Sequence, residues 1–205
     1  MTTRILLVRH GQSEWNAIGR WQGWADPDLS DLGRQQAREA AGAVGAVDAV
    51  VSSDLQRAAQ TALLISESIG VGPVQVESGL RERDVGEWSG LTRTEIDERW
   101  PGSIEAWRSG AMPTPPGGET NEVIIERVLG ALRRVAGTFD GGEVLAVAHG
   151  GVIRLLERHH GIDSPPPCPN LGGVFVDVHD DRIDVGDRVL LLDPSTDHVT
   201  APNNL

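Results

Sequence analysis

Two histidines, two arginines and a glutamate are the residues of this 205-residue chain best placed to do chemistry. Arg9 and His10 stand together behind an apolar run, RILLV (4–8), and Gly11 follows them. His149 ends a second apolar run, EVLAVAH (143–149), and Gly150 and Gly151 come next. Arg57 enters a helical pattern soon after a third apolar run, VDAVVS (47–52). Glu82 lies in the polar stretch LRERDVGEW between Arg81 and Arg83, with Asp84 and Glu87 close by. Clustered cations repel one another unless an anion joins them. Neighbouring glycines let backbone N–H groups come close to a ligand. Phosphate suits such a pocket. Guanidinium groups meet its oxygens in pairs, and a neutral imidazole can attack phosphorus through a ring nitrogen. A carboxyl group can protonate the leaving oxygen. A lone strand-end His is ordinarily structural and a lone helix Arg a solvated charge, so the weight rests on four such residues at matching positions.

Those positions follow from the elements. The run 4–8 reads as a buried strand, and Ser30 caps a helix whose Leu32, Ala37, Ala40, Ala41 and Val44 share one face. A strand at 47–52 precedes a helix capped by Ser53 or Asp54, with Leu55, Ala58, Ala62, Ile65 and Ile69 at helical spacing. A short strand near 74–77 follows. Thr92 and Glu95 form a capping box, 110–118 is a loop by composition, and 119–139 is the longest helical pattern. The strand 143–149 and a Pro-rich turn at 164–169 lead to late strands near 173–179 and 187–192. Strands alternating with helices predict an α/β fold: a three-layer αβα sandwich with a mostly parallel central sheet and helices on both faces. Ligands of such sheets sit at the carboxyl ends of the strands, where Arg9, His10, Arg57 and His149 fall. No repeat or linker divides the chain, so 1–205 reads as a single domain.

Composition narrows the alternatives. Eighteen basic against thirty acidic residues give a net charge of −12, which disfavours nucleic acid and anionic membranes as partners. No apolar run reaches membrane-spanning length, and the chain reads as cytoplasmic. All the basic residues are Arg, which removes chemistry that needs Lys, such as a Walker phosphate loop or a pyridoxal Schiff base. Cys168 has Val174, not Arg, six positions on, so a Cys-based phosphate loop is absent. Asp26-Pro27-Asp28 follows no apolar strand and lacks a partner Lys, and no Gly-x-Ser-x-Gly occurs. Asp177 to Asp181 matches no metal-ligand spacing and reads as a strand end and turn. His159-His160 reads as a helix end. Most of the six Trp read as packing, with Trp21 or Trp24 a candidate wall of the pocket.

The motifs together resemble the histidine phosphatase superfamily, the phosphoglycerate mutase-like proteins. Arg9-His10-Gly11-Gln12-Ser13 is similar to its RHG-(E/Q)-(S/T) signature, with Asn16 following. LSDLGRQQA (29–37), SSDLQRAAQTA (52–62), LRERDVGEWSGLT (80–92), GGET (117–120) and AHGG (148–151) complete the series. The resemblance implies that His10 takes the phosphoryl group while Arg9, Arg57 and His149 stabilise its oxygens. Glu82 then protonates the leaving group and activates water. Asn16, Gln22 and the backbone N–H of Gly150 become candidate phosphate or substrate contacts. It implies neither metal nor cofactor, because arginines and histidines supply the charge. Family mutases carry a longer basic insertion that shields the phosphohistidine, whereas here the region 91–120 has only Arg93, Arg99 and Arg108. The expectation is therefore a phosphatase, with 91–120 as a lid, and within the family the chain looks similar to actinobacterial phosphatases of sugar or glycerate phosphates. A mutase and a non-catalytic phosphate-binding or scaffolding relative are the alternatives. Such relatives typically lack the nucleophile or the acid, and both stand here. The expected partner is a small phosphorylated metabolite, and a homodimer is left open.

Overall fold

The computed structural model describes residues 1–112 and 114–200; Pro113 of the predicted 110–118 loop and residues 201–205 lie outside it. A six-stranded sheet forms the centre. Its strands are β1 (Thr3–Arg9), β2 (Ala49–Ser52), β3 (Gln75–Val76), β4 (Glu143–Ala148), β5 (Gly172–Val178) and β6 (Ile183–Leu190), in the order β3-β2-β4-β1-β5-β6. The first four pair in parallel, and β5 and β6 run antiparallel along the β1 edge. The predicted mostly parallel α/β architecture is the observed one.

Two helix layers cover the sheet. On one side lie α2 (Asp31–Ala40) and α3 (Gln56–Ile69), and on the other α6 (Asn121–Thr138) and α7 (Gly150–His159). Alternation decides which face each strand residue joins. Ile5 and Leu7 pack towards α6 and α7, whereas Leu6 and Val8 pack towards α2 and α3. Both faces of β1 are therefore apolar, as parallel strands require, and its sequence reads as a continuous run. Three short helices stand outside the layers: α1 (Glu14–Ala17), α4 (Arg93–Arg99) and α5 (Ser103–Arg108). Thr92 and Glu95 form the predicted capping box of α4. Ile96 and Ile104 dock α4 and α5 onto Trp21, Val85 and Trp88 in a separate apolar cluster.

Two details depart from expectation. Neither Ser53 nor Asp54 caps α3. The cap residue is Leu55, and the open Gln56 N–H is met by Asp26 Oδ1 at 2.6 Å, from a remote loop. That remote cap releases Ser53 for His149 and Asp54 for an ion pair with Arg81. The last strand begins at Ile183, not near 187, because a turn closed by His179 N–H to the Arg182 carbonyl (2.9 Å) starts the hairpin early. Leu191 and Leu192 lie past the strand yet are buried, which is why they mimic its end. Asp177 belongs to β5, and His179 faces Thr2 and Asp184.

Candidate active site

The carboxyl ends of β1 and β4 lie side by side, with Arg9 paired in register with Ala148. The residues that follow, His10 and His149, therefore meet, and their rings sit 5.2 Å apart edge to face. Both are buried, at 2% and 0% exposure. Arg57, the second residue of α3, is fully buried beside them.

His10 Nδ1 lies 2.6 Å from the Gly11 carbonyl, an oxygen that can only accept. Nδ1 therefore carries the hydrogen, and the lone pair of the neutral ring resides on Nε2. Arg57 Nε–H approaches that nitrogen at 3.3 Å, a long and weak contact. Burial, then Arg57 and Arg9, hold the His10 pKa well below the ordinary histidine value. The ring is neutral at physiological pH, with its unshared pair on the side a nucleophile needs.

Arg57 is pinned by main-chain oxygens, NH1 to Ala25 and NH2 to Gly23, each at 2.9 Å. Burial lowers its pKa to about 10, so it stays charged. Arg9 donates to the Cys168 carbonyl at 2.8 Å and to Asn16 Oδ1 at 3.2 Å. Asn16 also closes the capping box of α1 with Ser13, whose hydroxyl donates to Gln22 Oε1 at 2.8 Å. His149 contacts Ser53 Oγ through Nε2 at 2.9 Å, and its buried Nδ1 has no partner among the described residues. Burial, then Arg57 and His10, lower its pKa well below the ordinary value.

Glu82 completes the set. Its Oε2 accepts the Gly151 N–H at 3.1 Å and its Oε1 the Arg83 N–H at 2.8 Å. Its main-chain carbonyl is held by Trp24 Nε1 at 2.8 Å and by Arg127 NH2 at 2.9 Å.

Arg9, His10, Asn16, Gln22, Arg57, Glu82 and Gly150 all line one cleft of about 760 Å³. His149 is not among the lining residues, although its ring lies against that of His10. Sequence reasoning missed Arg83, Arg154, Arg158 and Trp107, which line it too, as does Gly151. The two arginines of α7 had a readable signal, since they stand four residues apart, on one helix face, just after the His-Gly-Gly motif. Trp107 had none, because α5 reaches the cleft through long-range contacts of Trp107 with Trp21 and Trp88, at 5.5 and 5.8 Å, and with the Arg83 guanidinium at 5.6 Å. Trp21 lines the cleft, whereas Trp24 stands outside it. Five of the lining side chains are Arg and one is a carboxylate. The arrangement can hold an anion of two or more charges, present an imidazole lone pair to it and place a carboxyl group beside the reaction.

Residues 5–166 match the family model of the histidine phosphatase superfamily (branch 1), and the chain belongs to that superfamily. It is thus a phosphatase or a mutase of that class. It is 41% identical over 162 residues to a glucosyl-3-phosphoglycerate phosphatase of Mycolicibacterium vanbaalenii, covering 75% of this chain and 72% of the relative. It is 37% identical over 165 residues to a 2,3-bisphosphoglycerate-dependent phosphoglycerate mutase of Parvibaculum lavamentivorans, covering 76% and 79%. A solved mycobacterial glucosyl-3-phosphoglycerate phosphatase in complex with VO3 superposes with a TM-score of 0.80 at 33% identity, over 89% of this chain and 96% of that one. Among the described residues no helix is long and apolar enough to cross a membrane.

Proposed function

We propose that this protein is a metal-independent phosphomonoesterase that works through a phosphohistidine on a small phosphorylated metabolite of the sugar or glycerate phosphate type. The observation that carries the reading is the state of His10: neutral, with Nδ1–H tied to Gly11 and Nε2 in the cleft beside two buried guanidinium groups. Nε2 attacks phosphorus. Arg9 and Arg57 neutralise the equatorial oxygens, so the charge that a divalent ion supplies elsewhere comes from side chains. His149 Nδ1 donates to a further oxygen, with Ser53 Oγ–H donating to Nε2 to fix that tautomer. The Gly150 N–H, at the start of α7, meets another. Glu82, protonated, gives its proton to the leaving alkoxide and then takes one from the water that attacks the phosphohistidine. Asn16 and Gln22 line the approach.

The five arginines and single carboxylate of the cleft favour a substrate with an anionic group besides the phosphate, as a glycerate phosphate has. Trp21, Trp107, Val85 and Leu155 supply an apolar wall for its carbon skeleton. Residues 91–120 serve as a lid that is too short and too poor in basic residues to seal the phosphohistidine from water, which favours hydrolysis over transfer back to the product.

The test supplies 3-phosphoglycerate with a trace of 2,3-bisphosphoglycerate and follows inorganic phosphate and 2-phosphoglycerate together. Phosphate release without isomer, abolished in His10→Ala, is the expected result. Isomer formation without phosphate makes the protein a mutase. Release that survives His10→Ala overturns the mechanism, and release that a chelator abolishes overturns its independence of metal.

A further inference from the structure

Behind the cleft, two buried side-chain amides grip the loop that carries His10. Asn170, 1% exposed, donates Nδ2–H to the His10 carbonyl at 2.8 Å. Gln36, fully buried, accepts the Gln12 N–H on Oε1 at 2.7 Å. Gly11 lies between these two points, and its carbonyl is the one that accepts His10 Nδ1–H. The amides thus hold the backbone on both sides of the oxygen that selects the His10 tautomer.

An Asn or Gln head has an oxygen and a nitrogen of nearly equal size, and its neighbours decide which way it points. Here one hydroxyl links the two heads, accepting from one and donating to the other. Thr200 Oγ1 donates to Asn170 Oδ1 at 2.8 Å, which turns the Asn170 NH2 towards His10. The same oxygen accepts from Gln36 Nε2 at 3.0 Å, which turns Gln36 Oε1 towards Gln12. Groups of fixed role set the same orientations, since the His10 carbonyl can only accept from Asn170 Nδ2 and the His198 carbonyl from Gln36 Nε2, the latter at 2.5 Å, and the Asn170 main-chain N–H ties the Thr200 carbonyl at 2.9 Å. Thr200 lies well beyond residue 166, where the match to the family model ends.

We propose that residues 191–200 form a positioning strap, with Thr200 as its hub, that holds His10 in the Nδ1–H tautomer with Nε2 available to the cleft. Its effect on rate rests on the reading of His10 as the nucleophile, whereas its effect on the tautomer does not.

Thr200→Val removes the hydroxyl at nearly constant shape, and Thr200→Ser returns it. Thr196→Val makes the same change in a turn of the same segment, where the hydroxyl donates only to the Asp193 carbonyl. Two readouts are taken: kcat and KM for a chromogenic phosphate ester, and the imidazole nitrogen resonances of His10, identified by their loss in His10→Gln. Thr200→Val is expected to lower kcat about tenfold with KM within about twofold, as for a small misplacement of a reacting group. Its His10 spectrum should show a smaller Nδ1–H share. Thr200→Ser should recover both, and Thr196→Val should change neither. Wild-type kcat in Thr200→Val overturns the strap, as does a fall in kcat without a change at His10, or an equal loss in Thr196→Val. If the wild-type protein hydrolyses no phosphate ester, the functional reading fails and the spectrum alone decides. A changed tautomer in Thr200→Val then upholds the strap, and an unchanged one overturns it.

Discussion

Gly151 and Glu82 lie so close that no side chain fits between them. The Gly151 N–H donates to Glu82 Oε2 at 3.1 Å, and a Cβ on Gly151 would stand 2.4 Å from Oε1. The second glycine of the His-Gly-Gly motif is therefore a seat for the carboxylate. Gly151→Ala should displace that carboxylate and lower kcat by about 10- to 100-fold. An alanine inside a helix normally stabilises it by roughly 0.5–1 kcal/mol, so the folded protein should lose little stability. Turnover and a urea melt of the same preparation check this pairing. A large loss of stability beside the loss of rate would show that Gly151 serves the fold instead.

Trp24 acts on the same residue from the other side. It is 40% exposed, stacks under Arg81 at 4.9 Å and donates Nε1–H to the Glu82 carbonyl. Because it does not line the cleft, Trp24→Phe should leave KM for phosphate esters unchanged. The lost hydrogen bond, worth about 0.5–1.5 kcal/mol, should lower kcat about two- to tenfold if it is felt at the carboxylate. Steady-state kinetics separate the two constants. A raised KM at constant kcat would make Trp24 a wall of the substrate site.

What could be read from the chain, and what could not, divides by sequence distance. Arg9-His10-Gly11 and His149-Gly150-Gly151 were legible because each is a strand end followed at once by its glycines, and parallel pairing of β1 with β4 then brings them together. The helix faces were legible for the same local reason, as with Ala37, Ala40, Ala58 and Ala62, all fully buried. The cap of α3 was not, because Asp26 reaches Gln56 across thirty residues. Nor was the task this leaves to Ser53, whose serine-before-helix pattern looks like a cap from sequence alone. Asn170 and Thr200 carry no motif, and their meaning appears only when the fold brings Thr200 against Asn170 and Asn170 against the His10 carbonyl.

Arg154 and Arg158 stand one turn apart on α7 and share the cleft with Arg83. Burial, then the positive charge of Arg158, lowers the pKa of Arg154, and an anion between the two would offset both effects. Arg158 is exposed and makes no ion pair among the described residues. Arg158→Gln should therefore reduce kcat/KM for 3-phosphoglycerate about tenfold more than for glycerol 3-phosphate, which lacks the carboxylate. Tenfold corresponds to about 1.4 kcal/mol, within reach of one charge-assisted contact. The preference should also shrink with added salt, since the group is solvated. Equal losses on both esters would remove Arg158 from recognition of the second anion.

The two buried imidazoles make stability depend on pH in a direction that can be worked out. His10 and His149 both have folded-state pKa values well below 6.5, chiefly through burial. As pH falls through 6.5 the unfolded chain takes up two protons that the folded protein refuses, so unfolding becomes more favourable. Each ring contributes a loss of about 1.4 kcal/mol per pH unit while it stays neutral in the fold. This loss begins above the range of the paired carboxylates, because Arg134 holds the Glu77 pKa below the ordinary value, and that of Glu119, which burial raises, is brought below it by Arg127 and the Asp84 N–H. Urea melts between pH 6.5 and about 5 should therefore show stability falling steeply, with a shallower slope in His10→Gln, where only His149 still refuses its proton. A flat profile would mean that the rings accept protons in the folded state as readily as in the unfolded chain, and the neutral nucleophile would then be lost below about pH 6.5.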